Sequence, residues 1–217
     1  MKKIIAAILV LGGGAGVQAQ SPETVMERAV KGYTDMRSMR ADFRQTITNP
    51  LTGTSFVSHG VLLRKDPNLL SITFSDPKGD RVVSDGSSVW VYLPSSAPGQ
   101  VIKMPAGGTS MGMVDPGGLF LSSPASRYAI SAGGTGTVSG RKTTVLNLIP
   151  KRANSAFSRA KVWVDASDYT IRQFEIVDAN GLTRVVTISN VRPNAAIGSR
   201  EFQFSPPKND RVIDGGM

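Results

Sequence analysis

Between positions 69 and 75 apolar and polar side chains alternate. Leu70, Ile72 and Phe74 fall on one face, Ser71, Thr73 and Ser75 on the other. A period of two predicts a half-buried β-strand. The surrounding stretch 60–94 reads as four such strands joined by tight turns, and the pattern recurs along most of the chain. Candidate strands cover 39–48, 54–64, 69–75, 81–84, 88–93, 100–103, 127–131, 143–149, 159–165, 170–178, 183–190 and 201–204. Turn signals separate them at Asn49-Pro50, Asp66-Pro67, Asp76-Pro77, Asp85-Gly86, Asn180-Gly181 and Arg192-Pro193-Asn194. In each, a residue that bonds its own backbone or tolerates positive φ punctuates the pattern.

One segment departs from this period. Ser21-Pro22-Glu23 supplies a capping hydroxyl, a proline at the first helical position and an acid in the first turn. Val25, Met26, Ala29, Val30, Tyr33 and Met36 then recur at three and four, predicting an amphipathic helix to about Arg37. One helix followed by many short strands predicts an α+β protein that is mostly β, built on one large antiparallel sheet or a barrel carrying helices.

A second departure is the segment 94–124, dense in Gly, Pro, Ser and Met, with Met104, Met111, Met113, Leu119, Phe120 and Leu121 inside it. A long loop in a compact domain usually serves function or is disordered. Two readings stay open. Met111, Met113, Leu119 and Phe120 can form a lid over an apolar opening, or residues 119–121 can plug the core as a short helix.

The alternating strands put Leu146, Leu148, Ala160, Val162, Val164, Phe174, Ile176, Val186, Ile188, Phe202 and Phe204 on one face with Leu70, Ile72 and Phe74. In a closed small barrel such residues fill the interior. In an opened one they line a pocket for an apolar ligand. Both arrangements demand the same residues.

The N-terminus changes the expected compartment. Lys2 and Lys3 precede an apolar run over 4–11 and a Val17-Gln18-Ala19 site. This pattern predicts a secretory signal, residues 1–19, cut after Ala19. Residues 20–217 then form a single domain. There is no cysteine, which excludes disulfides, thiolate metal sites, cysteine nucleophiles and a lipid anchor on cysteine. The net charge of +9 becomes +7 without Lys2 and Lys3. The basic residues are scattered, and nucleic acid does not fit a secreted chain.

Catalytic motifs find little support. Gly108-Thr109-Ser110-Met111-Gly112 matches the G-x-S-x-G of serine hydrolases, but the one histidine, His59, lies upstream and no strand precedes the serine. His59 alone cannot build a histidine metal site, so it reads as a polar strand residue. Residues 133–136, Gly-Gly-Thr-Gly, lack the ending of a phosphate loop and read as a hairpin turn. Trp90, Tyr92 and Trp163 are strand aromatics that suit core packing better than base or sugar stacking. No enzyme, metal or cofactor is predicted.

Taken in order, several segments resemble the periplasmic outer-membrane lipoprotein carriers (LolA family). They are the leading helix, Ala41-Asp42-Phe43-Arg44-Gln45, Gly60-Val61-Leu62-Leu63 with Lys65-Asp66-Pro67-Asn68-Leu69, and Val83-Ser84-Asp85-Gly86 with Val89-Trp90-Val91-Tyr92. Gln100-Val101, Pro150-Lys151, Ile171-Arg172-Gln173-Phe174 and Phe202-Gln203-Phe204-Ser205-Pro206-Pro207 complete the match, which covers the mature chain. The resemblance implies an incomplete antiparallel β-barrel of about 11 strands, with a helical or loop lid over an apolar cavity. It implies a soluble, monomeric periplasmic carrier without a cofactor. Such a carrier takes lipoproteins by their acyl chains from an inner-membrane ABC-type exporter and delivers them to an outer-membrane acceptor.

On that resemblance Leu70, Ile72, Phe74, Trp90, Leu146, Leu148, Val162, Val164, Phe174, Ile176, Val186 and Ile188 become the candidate acyl-chain wall. The family typically carries an arginine just before the proline of the third strand. Asp66 stands there in this chain, behind Arg64 and Lys65, which makes Arg64 and Asp66 the candidate lid latch. A lipid- or lipoprotein-sensing module on the same scaffold, without transport, is the alternative.

Overall fold

The computed structural model describes residues 20–106, 120–152, 155 and 157–215. The signal segment, the Ser110 motif and the lid residues Met111, Met113 and Leu119 lie outside the described residues. The period-two segments form β1 (Ser38–Thr48), β2 (Ser55–Lys65), β3 (Leu69–Asp76), β4 (Arg81–Asp85), β5 (Ser88–Tyr92) and β6 (Gln100–Pro105). They continue as β7 (Tyr128–Val138), β8 (Arg141–Pro150), β9 (Arg159–Asp165), β10 (Ile171–Val177), β11 (Thr183–Pro193) and β12 (Arg211–Asp214). All twelve join one sheet in the order β12-β6-β5-β4-β3-β2-β1-β11-β10-β9-β8-β7. Every neighbouring pair is antiparallel except β12 with β6. The edges β7 and β12 do not meet, so the sheet is an open β-barrel.

Short polar side chains set the turns. The Asp85 carboxylate accepts from the backbone N–H groups of Ser87 and Ser88 at 2.8 Å, closing the β4–β5 hairpin. Asp178 does the same for Asn180 and Leu182 at 2.8 and 2.9 Å between β10 and β11. Each is a side-chain mimic of a backbone turn. Gly60 sits at an irregularity between β2 and β3, and a Cβ there would lie 2.1 Å from the Thr73 carbonyl oxygen. Only glycine permits that approach.

The helix α1 (Pro22–Asp35) starts where the sequence places it, with Ser21 Oγ accepting from the Thr24 N–H at 3.2 Å. It ends before Arg37 because Met36 turns extended to enter β1. Val25, Met26 and Ala29 bury themselves against the inner sheet face, with Val30, Tyr33 and Met36 packed beside them. A second, one-turn helix α2 (Pro124–Arg127) leads into β7. No described helix is long and apolar enough to cross a membrane.

Three expectations are corrected. The twelfth strand is not 201–204: Ser199–Phe202 forms a 3₁₀ turn, and Arg211–Asp214 supplies β12 instead. Phe202 is buried and Phe204 packs on Trp90 and Tyr92, so these phenylalanines serve as a cover over the outer sheet face. Period-two spacing cannot distinguish a strand from a segment lying across one. Residues 133–136 are not a hairpin turn either. They lie within β7, where Gly136 leaves room for the Trp163 ring, 3.2 Å from where a Cβ would be. The count of strands accordingly rises from about 11 to twelve among the described residues.

Candidate functional site

Residues opposite one another on paired antiparallel strands share a face, so the register shows which side chains meet. Leu146, Val162, Phe174 and Val186 lie in one row across β8, β9, β10 and β11. Leu148 pairs with Ala160, and Val164 with Ile171. These residues, with Leu70, belong to a single apolar cluster, and Ile72, Phe74, Ile176 and Ile188 pack against it half-buried. Eleven of the twelve candidate wall residues are thus brought to one inner face. Leu146, Leu148, Val162 and Val164 have no exposed surface.

Trp90 is the exception and a correction. Its strand partners are Val83 and Lys103, and Val83 pairs with Ser71, on the face opposite Leu70. Its ring lies 5.9 Å from Phe204 and 5.0 Å from the Lys103 ammonium, while its indole N–H donates to Asp85 at 3.0 Å. Burial alone would raise the Asp85 carboxyl, but hydrogen bonds from Trp90, Ser87 and Ser88 lower it to about 2. Trp90 is therefore an outer-face anchor. Pleating fixed its side, and the bare count of aromatics concealed that.

The inner face is covered by elements of the same chain. Phe120 has no exposed surface, and its ring packs 5.5 Å from Phe174 and 5.8 Å from Phe157. Leu121 is buried in the same cluster. Of the two readings of residues 119–121, the described part, Phe120 and Leu121, takes the plug position. Beside it α1 lies over β7, β8 and β9.

The helix is fastened at both ends. Near its start the Arg28 guanidinium donates to the Tyr169 hydroxyl and lies 5.0 Å from that ring's centre. At its end Arg64, reaching up from β2, donates to the carbonyl oxygens of Met36 at 2.9 Å and Tyr33 at 3.5 Å. Its guanidinium stacks 4.1 Å from the Tyr33 ring centre and pairs with Asp66. Carbonyl oxygens at a helix C-terminus carry partial negative charge, so a cation there is favoured twice, by dipole and by hydrogen bond. Arg64 and Asp66 thus form one cluster with the end of α1, in which Arg64 contacts the helix and Asp66 pairs with Arg64; the lid residues Met111, Met113 and Leu119 that this pair was expected to latch lie outside the described residues. Sequence reading found the pair but not the helix end that Arg64 grips, because Tyr33 and Met36 contribute backbone atoms that carry no residue signature.

A second charged cluster was missed. Arg141 and Arg172 both donate to Asp165 Oδ2, at 2.7 and 2.9 Å, and Arg172 also donates to Asp168 at 2.6 Å. Burial would raise the Asp165 carboxyl, yet hydrogen bonds from Arg141, Ser167 and Arg172 hold it well below the usual carboxylate range. An open cleft of about 240 Å³ borders this cluster, lined by Val138, Ser139, Arg141, Arg172, Ile188, Ser189 and Asn190. With both arginines already engaged, the cluster ties the turn after β9 to β8 and β10.

A family model described as "Uncharacterized protein" matches residues 71–200 of the chain. The outer-membrane lipoprotein carrier protein of Serratia proteamaculans is 26% identical over 99% of this chain and 98% of that protein. The Bordetella pertussis protein of the same name is 29% identical, covering 90% of this chain and 86% of its own. Among solved structures, an uncharacterized conserved protein from Thermus thermophilus superposes with a TM-score of 0.57 at 12% identity. That match covers 90% of this chain and 99% of the other, and shows a shared fold.

Proposed function

We propose that this chain is a periplasmic carrier of lipoprotein acyl chains, a reading supported by its full-length similarity to proteins named outer-membrane lipoprotein carrier protein. The observation that carries the reading is the inner face of an open barrel, faced by buried aliphatic rows and covered by elements of the same chain. It binds lipoproteins released from an inner-membrane ABC-type exporter and hands them to an outer-membrane acceptor, with no bond made or broken.

The mechanism follows from what must move. An acyl chain reaches the row Leu146, Val162, Phe174 and Val186 only if Phe120, Leu121 and α1 give way, since these residues already occupy the space. The Arg64 cluster and the Arg28–Tyr169 contact are the polar ties that resist this movement. Both are fastened to helix ends, and both can reform with water when broken. The closed state is thus an apolar core that can be exchanged for an apolar ligand, and the ties set how readily the exchange runs.

The test is release of a lipoprotein from energised spheroplasts into a soluble complex with the purified protein. Release should saturate with added carrier. A chain that releases no lipoprotein at any concentration is not such a carrier. Ile72→Glu gives a second arm. Leu70 is fully buried, so a charge there would unfold the protein, whereas Ile72 is half-buried on the same face. Ile72→Glu should fold and capture less lipoprotein; unchanged capture would remove β3 from the binding wall.

A further inference from the structure

The inner face is largely apolar, and besides Arg64 at one end a second cation interrupts it at the other. Arg184 pairs with Ile47 on β1 and with Ile176 on β10. It stands two residues from Val186 on β11, so it shares the face of the buried Phe174–Val186 row. On the next strand Phe56 lies opposite Ile47. Two residues along a strand is about 7 Å. Beyond Arg184 only the pair Thr48 with Thr183 remains before the hairpin turns, where Gly181 meets Pro50. Arg184 therefore sits just inside one end of the barrel, at the opposite end of β1 from the Arg64 cluster.

Its electrostatics differ from those of the arginines described above. Arg64, Arg141 and Arg172 each hold a carboxylate. Among the described residues Arg184 has no ion pair and no side-chain hydrogen bond, and burial pushes its guanidinium below its ordinary value. The side chain is only partly buried, and none of its nitrogens is among the buried unpartnered atoms, so water solvates a cation that has no counter-charge in the fold. Carried beside an acyl-chain wall and free of any protein carboxylate, it is open to a ligand that brings the counter-charge. The planar fork of arginine suits the two oxygens of a carboxylate or phosphate.

We propose that Arg184 is the anion-recognition residue of the acyl-chain site, pairing with an oxyanion attached to a chain that lies along Val186 and Phe174. The inference rests on the acyl-chain reading of this face and adds a second ligand class to it, since acyl chains held to a lipoprotein by ester or amide bonds carry no oxyanion. The ligand is an acidic amphiphile, its chain buried toward the core and its acid at the Ile47, Phe56 and Ile176 rim. A phosphate head of a lipid and a carboxylate share this chemistry.

The experiment measures affinities of the full chain for hexadecyl phosphate, palmitate and neutral monopalmitin, by calorimetry below their critical micelle concentrations. The wild type should bind at least one of the two acids about tenfold tighter than monopalmitin, the ordinary worth of a charge-assisted hydrogen bond. Which acid wins distinguishes the phosphate source from the carboxylate source. Arg184→Gln should bring that ratio to within about twofold, Arg184→Lys should keep part of it, and Lys142→Gln on the exposed part of β8 should keep all of it. Raising salt should shrink the wild-type ratio, a readout that needs no variant. A ratio unchanged in Arg184→Gln, or flat in salt, overturns the proposal. Equal binding of all three amphiphiles by the wild type overturns it alone, leaving the acyl-chain wall. Failure to bind any of the three overturns both.

Discussion

Replacing Arg64 with leucine should loosen α1 without unfolding the sheet. In the closed state Arg64 donates to Met36 O at 2.9 Å, stacks on Tyr33 at 4.1 Å and neutralises the helix C-terminus. A hydrogen bond from a charged group contributes about 1.5–3 kcal/mol. A partly buried cation on an aromatic face contributes about 1 kcal/mol. Leucine restores some apolar contact with Tyr33, so the net loss should be about 2–3 kcal/mol, a factor of roughly 30 to 150 in the opening equilibrium. Asp66, about 40% exposed, is rehydrated when its partner goes and adds little.

Hydrogen exchange reads this directly. Amides of the last two turns of α1, from Glu27 to Asp35, should exchange about 30 to 150 times faster in Arg64→Leu. Amides of β8 and β9 should keep their wild-type rates. A carrier that opens more easily should also load lipoprotein more readily and surrender it less readily, because reclosure is what expels cargo. If α1 exchanges at the wild-type rate, Arg64 does not hold the helix and the latch argument fails. If β8 and β9 accelerate equally, the residue supports the whole fold.

Further outcomes follow from other sites. Leu148→Ala removes a side chain with no exposed surface, and the void it leaves should cost about 3 kcal/mol in denaturant unfolding; a cost below about 1 kcal/mol would mean that the inner face repacks freely. Gly60→Ala would drive a Cβ against the Thr73 carbonyl oxygen and should abolish soluble expression or lower the melting temperature sharply; a melting temperature equal to wild type would refute the close approach. Asp165 titrates lower folded than unfolded, so its stabilising contribution is complete above the unfolded carboxylate value near 4 and is lost as pH falls below it. Asp165→Asn should therefore be less stable at neutral pH and show a flatter melting profile between about pH 4 and 2, and a parallel profile would assign acid sensitivity elsewhere.

Most of the sheet was legible because its strands carry the period-two signature and its turns use side chains that bond their own backbone. The inner wall was legible for the same reason: from Leu146 to Ile188 alternation alone assigned the correct face. Where the chemistry of a position depends on what crosses it, the sequence was silent. Trp90 went to the wrong face because the strand register, not residue type, decides its side. Residues 201–204 looked like a strand, yet Phe202 and Phe204 pack across one. Gly133 and Gly136 looked like a turn because glycine signals both a bend and a close approach, and Val145 beside Gly133 and Trp163 beside Gly136 select the second. Arg184 drew no notice for a related reason: a lone arginine in a strand means little until its cross-strand partners prove to be Ile47 and Ile176.

The closed core also bears on how a carrier of acyl chains lets go. Burying a sixteen-carbon chain gains about 12 kcal/mol at about 0.8 kcal/mol per CH₂. In an empty preformed pocket that gain would be nearly all net, and release would be slow. Here the chain must replace side chains that already enjoy burial. Val25 and Met26 on α1, with Phe120 and Leu121, are each at most 5% exposed. Returning four such residues to water costs about 9 kcal/mol at roughly 1.5–3 kcal/mol apiece. The difference, about 3 kcal/mol, is small enough that an acceptor offering a somewhat better surface can take the chain. On the proposed function, a self-filled inner face would make loading reversible, and residues that improve the closed packing should speed handover as they weaken capture. A variant that tightens the plug, such as Ala29→Leu if it packs without strain, should therefore release cargo faster than wild type; slower release would show that the plug does not compete with the cargo.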